Sequence, residues 1–535
     1  MVRRAAVIGL DGVAWHLLDP MLEAGIMPRL GELRERGAWG TLASTVPTYT
    51  PPAWTSAITG VNPGRHGVYG FYEGHAQRER QELMHSGKVR APTIWEIAAA
   101  QDARVGIYNV PLTYPPRTVD GWMVSGMMTP GFGEHLKGFT TPKELEEQVL
   151  SWAPGYVCDV SANWEQDWRD ASLCDRVIAS LEQRYAVLRG LLEQDPPDVL
   201  FAVLEAPDRL QHVYYGYLDP FSSVFESDQA RSIRPRIHEC FEAMDRIVGL
   251  VDDYAGSDGG IIVCSDHGFT AWEVSVHTNT LLEKWGYLRL KRGARVMQTG
   301  AARALARAAR RVLSAKVARR AKAKTFSAID WSRTRAFASP IPQQGIYVNL
   351  VGRERLGTVE PLDFPGTLED LARRFDELVG PDGESVTDRS WRSEEVFHGD
   401  ALDGAPDLLP VLRDHRFELD DELFHRNPFT DHRALPRGVH HPDGVVAVAG
   451  EGVESRGDLR GSVMDITPTL LYMAGLKVPE SLDGDVLGAF DVETMANRPV
   501  ETTTALSSAP GDEQSPYSEE EEAAIEESLR GLGYL

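Results

Sequence analysis

Four short apolar, β-branched runs constrain the fold of this chain more than any other feature. They are Arg4–Leu10 (RAAVIGL), Arg104–Asn109 (RVGIYN), Val199–Leu204 (VLFAVL) and Gly260–Cys264 (GIIVC). Runs that are apolar at nearly every position suit strands covered on both faces, as in the interior of a mostly parallel sheet. Between them lie stretches of helical periodicity, such as Ala14–Arg36, Cys174–Glu193 and Ile233–Tyr254. This alternation predicts an α/β fold: a mostly parallel central sheet flanked by helices.

The 535 residues leave room for more than one core, and composition shifts suggest where the sheet is interrupted. Residues 1–285 read as the first part of the core, with a Gly-, Pro- and Trp-rich excursion over about 71–156. Residues 286–385 read as an inserted cap region and 386–490 as the second part of the core, where VVAVAG (Val445–Gly450) and a helical stretch from Met464 to Ala474 recur. Residues 491–535 read as a flexible acidic linker, most clearly over 497–516, and then a helix in which Ser518 and Glu521 form a capping box and Ile525 and Leu529 dock. The four cysteines, Cys158, Cys174, Cys240 and Cys264, are too widely spaced for a disulfide scaffold or a CxxC site, and are expected as buried thiols.

No apolar run approaches the ~18 residues that span a bilayer, and Asp11 interrupts the N-terminal apolar stretch, so the chain is expected to be cytoplasmic. Its net charge of −24 repels polyanions and makes nucleic acid a poor partner. One segment opposes that trend: Lys291–Lys324 carries twelve Lys/Arg and no Asp or Glu, with Leu305, Val312, Leu313 and Val317 at helical spacing. It reads as a basic amphipathic helix or helical hairpin, either a solvated surface element or one that attracts an anionic substrate or an anionic membrane surface.

Acids and imidazoles cluster just after the expected strands, where an open α/β sheet builds its ligand crevice. Asp11 ends the first run in GLDG. Asp208 and His212 stand four apart in EAPDRLQH, Asp266 and His267 are adjacent in VCSDHG, and His440 lies in GVHHPDG. Asp266 and His267 can serve one site only if the chain turns there, which Gly268 permits. Three Asp and three His form a mixed oxygen and nitrogen donor set, suited to Zn²⁺ or Mn²⁺ and large enough for two ions. A hydroxyl nucleophile is offered by PTYTPPAWTS: Thr50 precedes Pro51-Pro52 and a helical stretch, near a positive helix N-terminus. Thr48, Thr55 and Ser56 compete with it, and spacing alone does not choose among them.

Together VIGLDG, PTYTPPAWTSAITGVNPGRHG, EAPDRLQH, SDHG, HHPDG and DITPTLLYMAGLKVPESLDGDVL resemble the alkaline phosphatase superfamily, in its type I phosphodiesterase and nucleotide pyrophosphatase branch, over about residues 4–290 and 400–490. The resemblance implies an alkaline-phosphatase-like core and hydrolysis of a small-molecule phosphate ester with two divalent ions, Zn²⁺ or else Mn²⁺. It implies one ion on Asp208, His212 and His440, and a second on Asp11, Asp266, His267 and the Thr50 oxygen. Thr50 takes the nucleophile's place, giving a phosphothreonine intermediate. The branch carries an Asn five residues after the His of PxxHG, and here that position is Phe71. The missing amide donor leaves Arg65, His66, Asn109 and Arg433 as alternative substrate contacts, or points to a substrate other than a nucleotide diester. A phosphomonoesterase, a phosphoglycerate-mutase-like phosphotransferase and a catalytically silent binding protein stay open as alternatives.

Overall fold

The computed structural model describes residues 2–73, 82–131, 136–164, 166–292, 294, 328–339, 345–504 and 514–531. Among these residues, nine strands form one large sheet whose centre is parallel. Strand Ala5–Leu10 lies between Val199–Leu204 and Gly260–Cys264, parallel to both. Val105–Tyr108 and Gly121–Val124 extend the sheet in parallel on one side. On the other side Asp443–Gly450 runs antiparallel to Gly260–Cys264, followed by Ala38–Ala43 and Arg456–Ser462. The expected α/β architecture is therefore present, including the four strands marked by the apolar runs.

Those runs are continuous because both faces of each central strand are covered. Ala6, Ile8, Leu10, Leu200, Ala202, Leu204, Ile261 and Val263 belong to one hydrophobic cluster, while Ala5, Val7, Val199, Phe201, Val203 and Ile262 belong to the opposite one. Helices Ser172–Gln194, Ala206–Leu218 and Asp228–Ala255 supply the first face. Helices Thr50–Thr59, Ile94–Ala99 and Ile466–Ala474 supply the second.

The excursion over 71–156 is more tightly tied to the sheet than expected. Besides Val105–Tyr108 it returns strands Gly121–Val124 and Thr140–Thr141 to the sheet edge. A third hydrophobic cluster draws residues from Val274 to Phe429, wider at both ends than the 286–385 expected for the insertion. Its four-stranded sheet, Ala336–Ala338, Ile346–Val348, Leu408–Leu412 and Thr387–Arg392, is packed by Leu368, Leu371 and Phe375 of helix Phe364–Asp376. Nearly all of the basic segment over 291–324, and residues 505–513 of the linker, lie outside the described residues. The expectation of a wholly flexible linker fails at Thr502–Thr503, which pairs in parallel with Val478–Pro479 and so satisfies its backbone in a sheet.

The C-terminal helix Glu519–Gly531 starts at the expected capping box. Ser518 N–H donates to Glu521 Oε2 (2.8 Å) and Glu521 N–H to Ser518 Oγ (3.3 Å). Ile525 and Leu529 are buried, and the helix covers a small cavity lined also by Met127, Met128, Cys158 and Asp159. The four cysteines are buried free thiols. Among the described residues no helix is long and apolar enough to cross a membrane.

One close packing contact couples the sheet to the residues that follow it. At Gly9 a β-carbon would come within 2.2 Å of the Trp54 ring, whose indole N–H donates to Asp11 (3.0 Å). Gly9→Ala is expected to force that indole aside, at a cost of about 1–3 kcal/mol in denaturant unfolding. Gly366→Ala, with open space around it, should leave stability within ~1 kcal/mol or raise it; equal behaviour of the two variants would contradict the packing argument.

Candidate active site

Three adjacent parallel strands deliver three acids to one end of the sheet. Asp11 follows Ala5–Leu10, Asp266 follows Gly260–Cys264, and Asp208 stands in the first turn of helix Ala206–Leu218, just after Val199–Leu204. All three are fully buried. His212 lies one helical turn beyond Asp208, so both project from the same helix face. His440 arrives on strand Gly438–His441, opposite Phe269 in the antiparallel strand Gly268–Ala271. The chain does turn between Cys264 and Gly268, bringing Asp266 and His267 to the same place, but not through a left-handed glycine. Gly268 is needed instead for close approach: a β-carbon there would lie 2.2 Å from the Asp443 carbonyl oxygen.

The side chains converge. His267 Nε2 lies 3.3 Å from Thr50 Oγ1, 3.4 Å from Asp266 Oδ2 and 3.6 Å from Asp11 Oδ1. Asp208 Oδ1 lies 3.3 Å from both His212 Nε2 and His440 Nε2, and those two nitrogens are 3.1 Å apart. The rings of His267 and His440 stack with centroids 3.7 Å apart, joining the two halves. Ligating atoms of Asp208, His267 and His440, and likewise of Asp11, Asp266 and His267, lie within 4.8 Å of one another.

Hydrogen bonds on the far side of the rings assign their tautomers. His267 Nδ1–H donates to the Gly268 carbonyl (3.1 Å) and His440 Nδ1–H to the Thr48 carbonyl (3.2 Å). Both Nε2 lone pairs therefore face the cluster, and the Thr50 hydroxyl donates to that of His267. Burial pushes the pKa of both imidazoles below the usual range, keeping them neutral. Burial, reinforced by the charge of Asp208, pushes the Asp11 carboxyl well above the usual carboxylate range; burial, with Asp11 and Asp208, does the same to Asp266. Burial acts in that sense on Asp208 too, but His212 and Arg209 outweigh it and hold this carboxyl well below the usual range.

The donors fit divalent cations. Asp11 Oδ1 and Asp266 Oδ2 are buried and accept no hydrogen bond among the described residues, although each carboxylate's other oxygen is satisfied, by Trp54 Nε1–H and by Gly12 N–H respectively. An ionised oxygen left so in a protein interior is costly unless a cation meets it.

Of the four hydroxyls open to sequence reasoning, Thr50 is the one that bonds into the cluster. Thr48 donates to the Thr45 carbonyl (3.2 Å), Thr55 to the Pro51 carbonyl (2.7 Å), and Ser56 meets His66 (3.0 Å). Thr50 is the first residue of helix Thr50–Thr59, with Tyr49 before it. The helix N-terminus offers fewer amides than expected: Pro51 and Pro52 have none, and the Ala53 N–H is taken by the Tyr49 carbonyl.

A family model described as type I phosphodiesterase / nucleotide pyrophosphatase matches residues 5–379. The chain belongs to this family. It is a branch of the alkaline phosphatase superfamily and one of phosphoester hydrolases. Phosphonoacetate hydrolase from Sinorhizobium meliloti 1021 shares the fold. Its complex with phosphonoformate is 17% identical with a TM-score of 0.52, over 88% of this chain and 96% of that one. Its complex with phosphonoacetate is 18% identical, with the same TM-score and coverage. Murine ectonucleotide pyrophosphatase / phosphodiesterase 5 is 12% identical, with a TM-score of 0.47, over 93% of this chain and all of that one.

In this phosphodiesterase-family chain the hydrogen bonds of the other expected substrate contacts lead elsewhere. Arg65 pairs with Asp483 (2.7 Å) and the Ser481 carbonyl (2.5 Å), closing a loop. Asn109 donates to the Val203 carbonyl (3.1 Å) and to Glu205 (2.8 Å), and Glu205 is itself paired with the buried Arg184. Arg433 pairs with Asp431 at the surface. Phe71 packs edge-on against Tyr49, whose ring in turn lies against His440. Sequence reasoning missed Trp54 and Arg209. Arg209 is wholly buried, ion-paired to Asp208 and bonded through two nitrogens to Asp159 (3.1 Å each). Its adjacency to Asp208 was the available signal, and nothing in spacing marked Trp54.

His66 is accounted for within its own loop. It accepts the Val68 N–H at Nδ1 (3.1 Å), so its Nε2–H donates to Ser56 Oγ, and burial lowers its pKa to about 3. Between the ordinary histidine pKa and about 3 the unfolded chain binds a proton there that the native chain does not, so stability falls as pH falls through this window. From about pH 7 to about pH 5 this amounts to about 2 kcal/mol, and His66→Gln is expected to flatten the pH dependence of denaturant unfolding by that amount. Identical profiles would contradict the neutral, buried assignment.

Proposed function

We propose that the chain is a two-metal phosphohydrolase that opens a phosphodiester or pyrophosphate bond of a small molecule through a phosphothreonine on Thr50. The observation that carries this reading is the hydrogen bond from Thr50 into a buried cluster of three carboxylates and two imidazoles, with the part-exposed His212 beside Asp208. In this reading Asp208, His212 and His440 hold one cation, and Asp11, Asp266, His267 and Thr50 Oγ1 the other. When bound, such a pair supplies Lewis acidity to the phosphoryl oxygens and acidifies oxygen nucleophiles, with zinc the best match to these donors and manganese the next.

The chain's own residues do the remaining work. Thr50 Oγ1 attacks phosphorus in line, the P–O bond to the leaving group breaks, and the phosphoryl group, still bearing its remaining substituent, passes to the threonine while the departing oxygen takes up a proton equivalent to the one Thr50 gives up and leaves as an alcohol or phosphate. Water then attacks the same phosphorus from the vacated side, breaking the Thr50–phosphorus bond and returning the hydroxyl. Trp54 fixes Asp11, and Arg209 fixes Asp208, so the donor set is oriented before substrate arrives. Phe71, standing where the nucleotide pyrophosphatases of the branch carry an amide, favours a substrate whose phosphoryl oxygens need no grip from that position.

Thr50→Ala is expected to lower turnover of bis-p-nitrophenyl phosphate by on the order of 10³-fold or more. Mass spectrometry of wild-type enzyme acid-quenched during turnover of this diester should find one p-nitrophenyl phosphoryl group on Thr50, absent in the variant; unaltered turnover in Thr50→Ala would overturn the mechanism. Chelation should abolish hydrolysis and zinc restore it. A faster rate on p-nitrophenyl phosphate than on the diester would replace the diesterase reading with the phosphomonoesterase one.

A further inference from the structure

A second group of metal-ligating side chains is built on the inserted unit, separate from the active-site cluster. His277 ends strand Val274–His277 and pairs in register with Asp420 at the end of strand Phe417–Asp420. The Asp420 carboxylate meets His277 Nδ1 at 2.7 and 3.0 Å, so Nδ1 carries the proton and Nε2 presents its lone pair, at present toward Thr430 Oγ1 (2.8 Å). His425 stacks on His277 with ring centroids 3.6 Å apart and an interplanar angle of 30°. His425 Nε2 also meets Glu422 Oε2 at 2.6 Å. One ligating atom from each of His277, Glu422 and His425 lies within 4.8 Å of the other two.

The loop that carries these groups is held in place by its backbone. Glu422 N–H donates to Asp420 Oδ1 (2.9 Å), the Asn279 amide to the Asp421 carbonyl (2.8 Å), and His277 N–H to the Pro428 carbonyl (2.8 Å). Two imidazoles in van der Waals contact beside a carboxylate gain little from one another, but the three together form a donor set for a borderline cation. A carboxylate on the far nitrogen of a ligating imidazole is the usual outer partner that fixes its tautomer.

We propose that His277, Glu422 and His425 bind a third divalent transition-metal ion, zinc by the chemistry of the donors, with Asp420 as the positioning residue for His277. Hard cations are disfavoured because two of the three donors are imidazole nitrogens. The ion ties loop 420–425 to strand Val274–His277.

The test compares full-length protein, stripped of metal and then equilibrated with buffered free zinc, with a Glu422→Gln/His425→Ala double variant prepared in the same way. Elemental analysis is expected to find one more zinc equivalent per chain in the wild type than in the double variant. Equal zinc content in the two proteins overturns the proposal. Anomalous diffraction at the zinc edge from zinc-equilibrated wild-type crystals gives a readout independent of how the variant folds. A peak about 2.0–2.2 Å from His277 Nε2, a His425 nitrogen and a Glu422 oxygen supports the site, and its absence there overturns it.

Discussion

Asp11, Asp208 and Asp266 sit side by side in the protein interior, and like charges there repel without water to screen them. The rest of the site is organised around that problem. Asp208 has local compensation in Arg209 and His212, which keeps it ionised. Asp11 and Asp266 receive only an indole and a backbone N–H, and an oxygen of each stays without a hydrogen bond among the described residues. Without cations the protein must either protonate these acids or bear their repulsion. With cations the same burial becomes an asset, because a low-dielectric, dry setting strengthens every interaction with the charge on a phosphoryl group.

The sheet topology makes this concentration of charge attainable. Three parallel neighbours end at the same edge, so residues that immediately follow them meet although they are some two hundred and fifty positions apart in sequence. His440 is brought from a fourth segment by antiparallel pairing with the residues just after His267. Thr50 comes from the helix that covers the opposite face of the sheet, held by Trp54 against Gly9 and Asp11. One core contact therefore registers the helix of Thr50 against the acid-bearing strand, with less than a methyl group of spare room.

What was legible in the sequence was the part governed by local pattern. Runs such as Val199–Leu204 announced buried strands because both faces are covered, and acids just beyond them announced a crevice because parallel strands share an end. The Ser518–Glu521 capping box was equally local. Long-range packing was not legible. His66 and Arg65 look like substrate ligands in sequence, but a two-residue backbone bond and a distant aspartate, Asp483, occupy them. Thr502–Thr503, read as linker, finds a strand partner at Val478–Pro479 that no local pattern signals. Spacing did not separate Thr50 from Thr48, Thr55 and Ser56; the resemblance singled it out, while the partners of each hydroxyl are tertiary or helix-backbone contacts that local pattern does not show.

Buried carboxylates and imidazoles are expected to make the fold and the chemistry depend on the same cations. The most direct measurement is a zinc titration of chelated protein that follows the thermal midpoint and phosphodiester turnover together. Ligand linkage at such a site is expected to raise the midpoint by on the order of 10 °C, with activity rising over the same zinc range. A midpoint that stays flat while zinc is added, or activity at full strength in the chelated protein, would contradict the account.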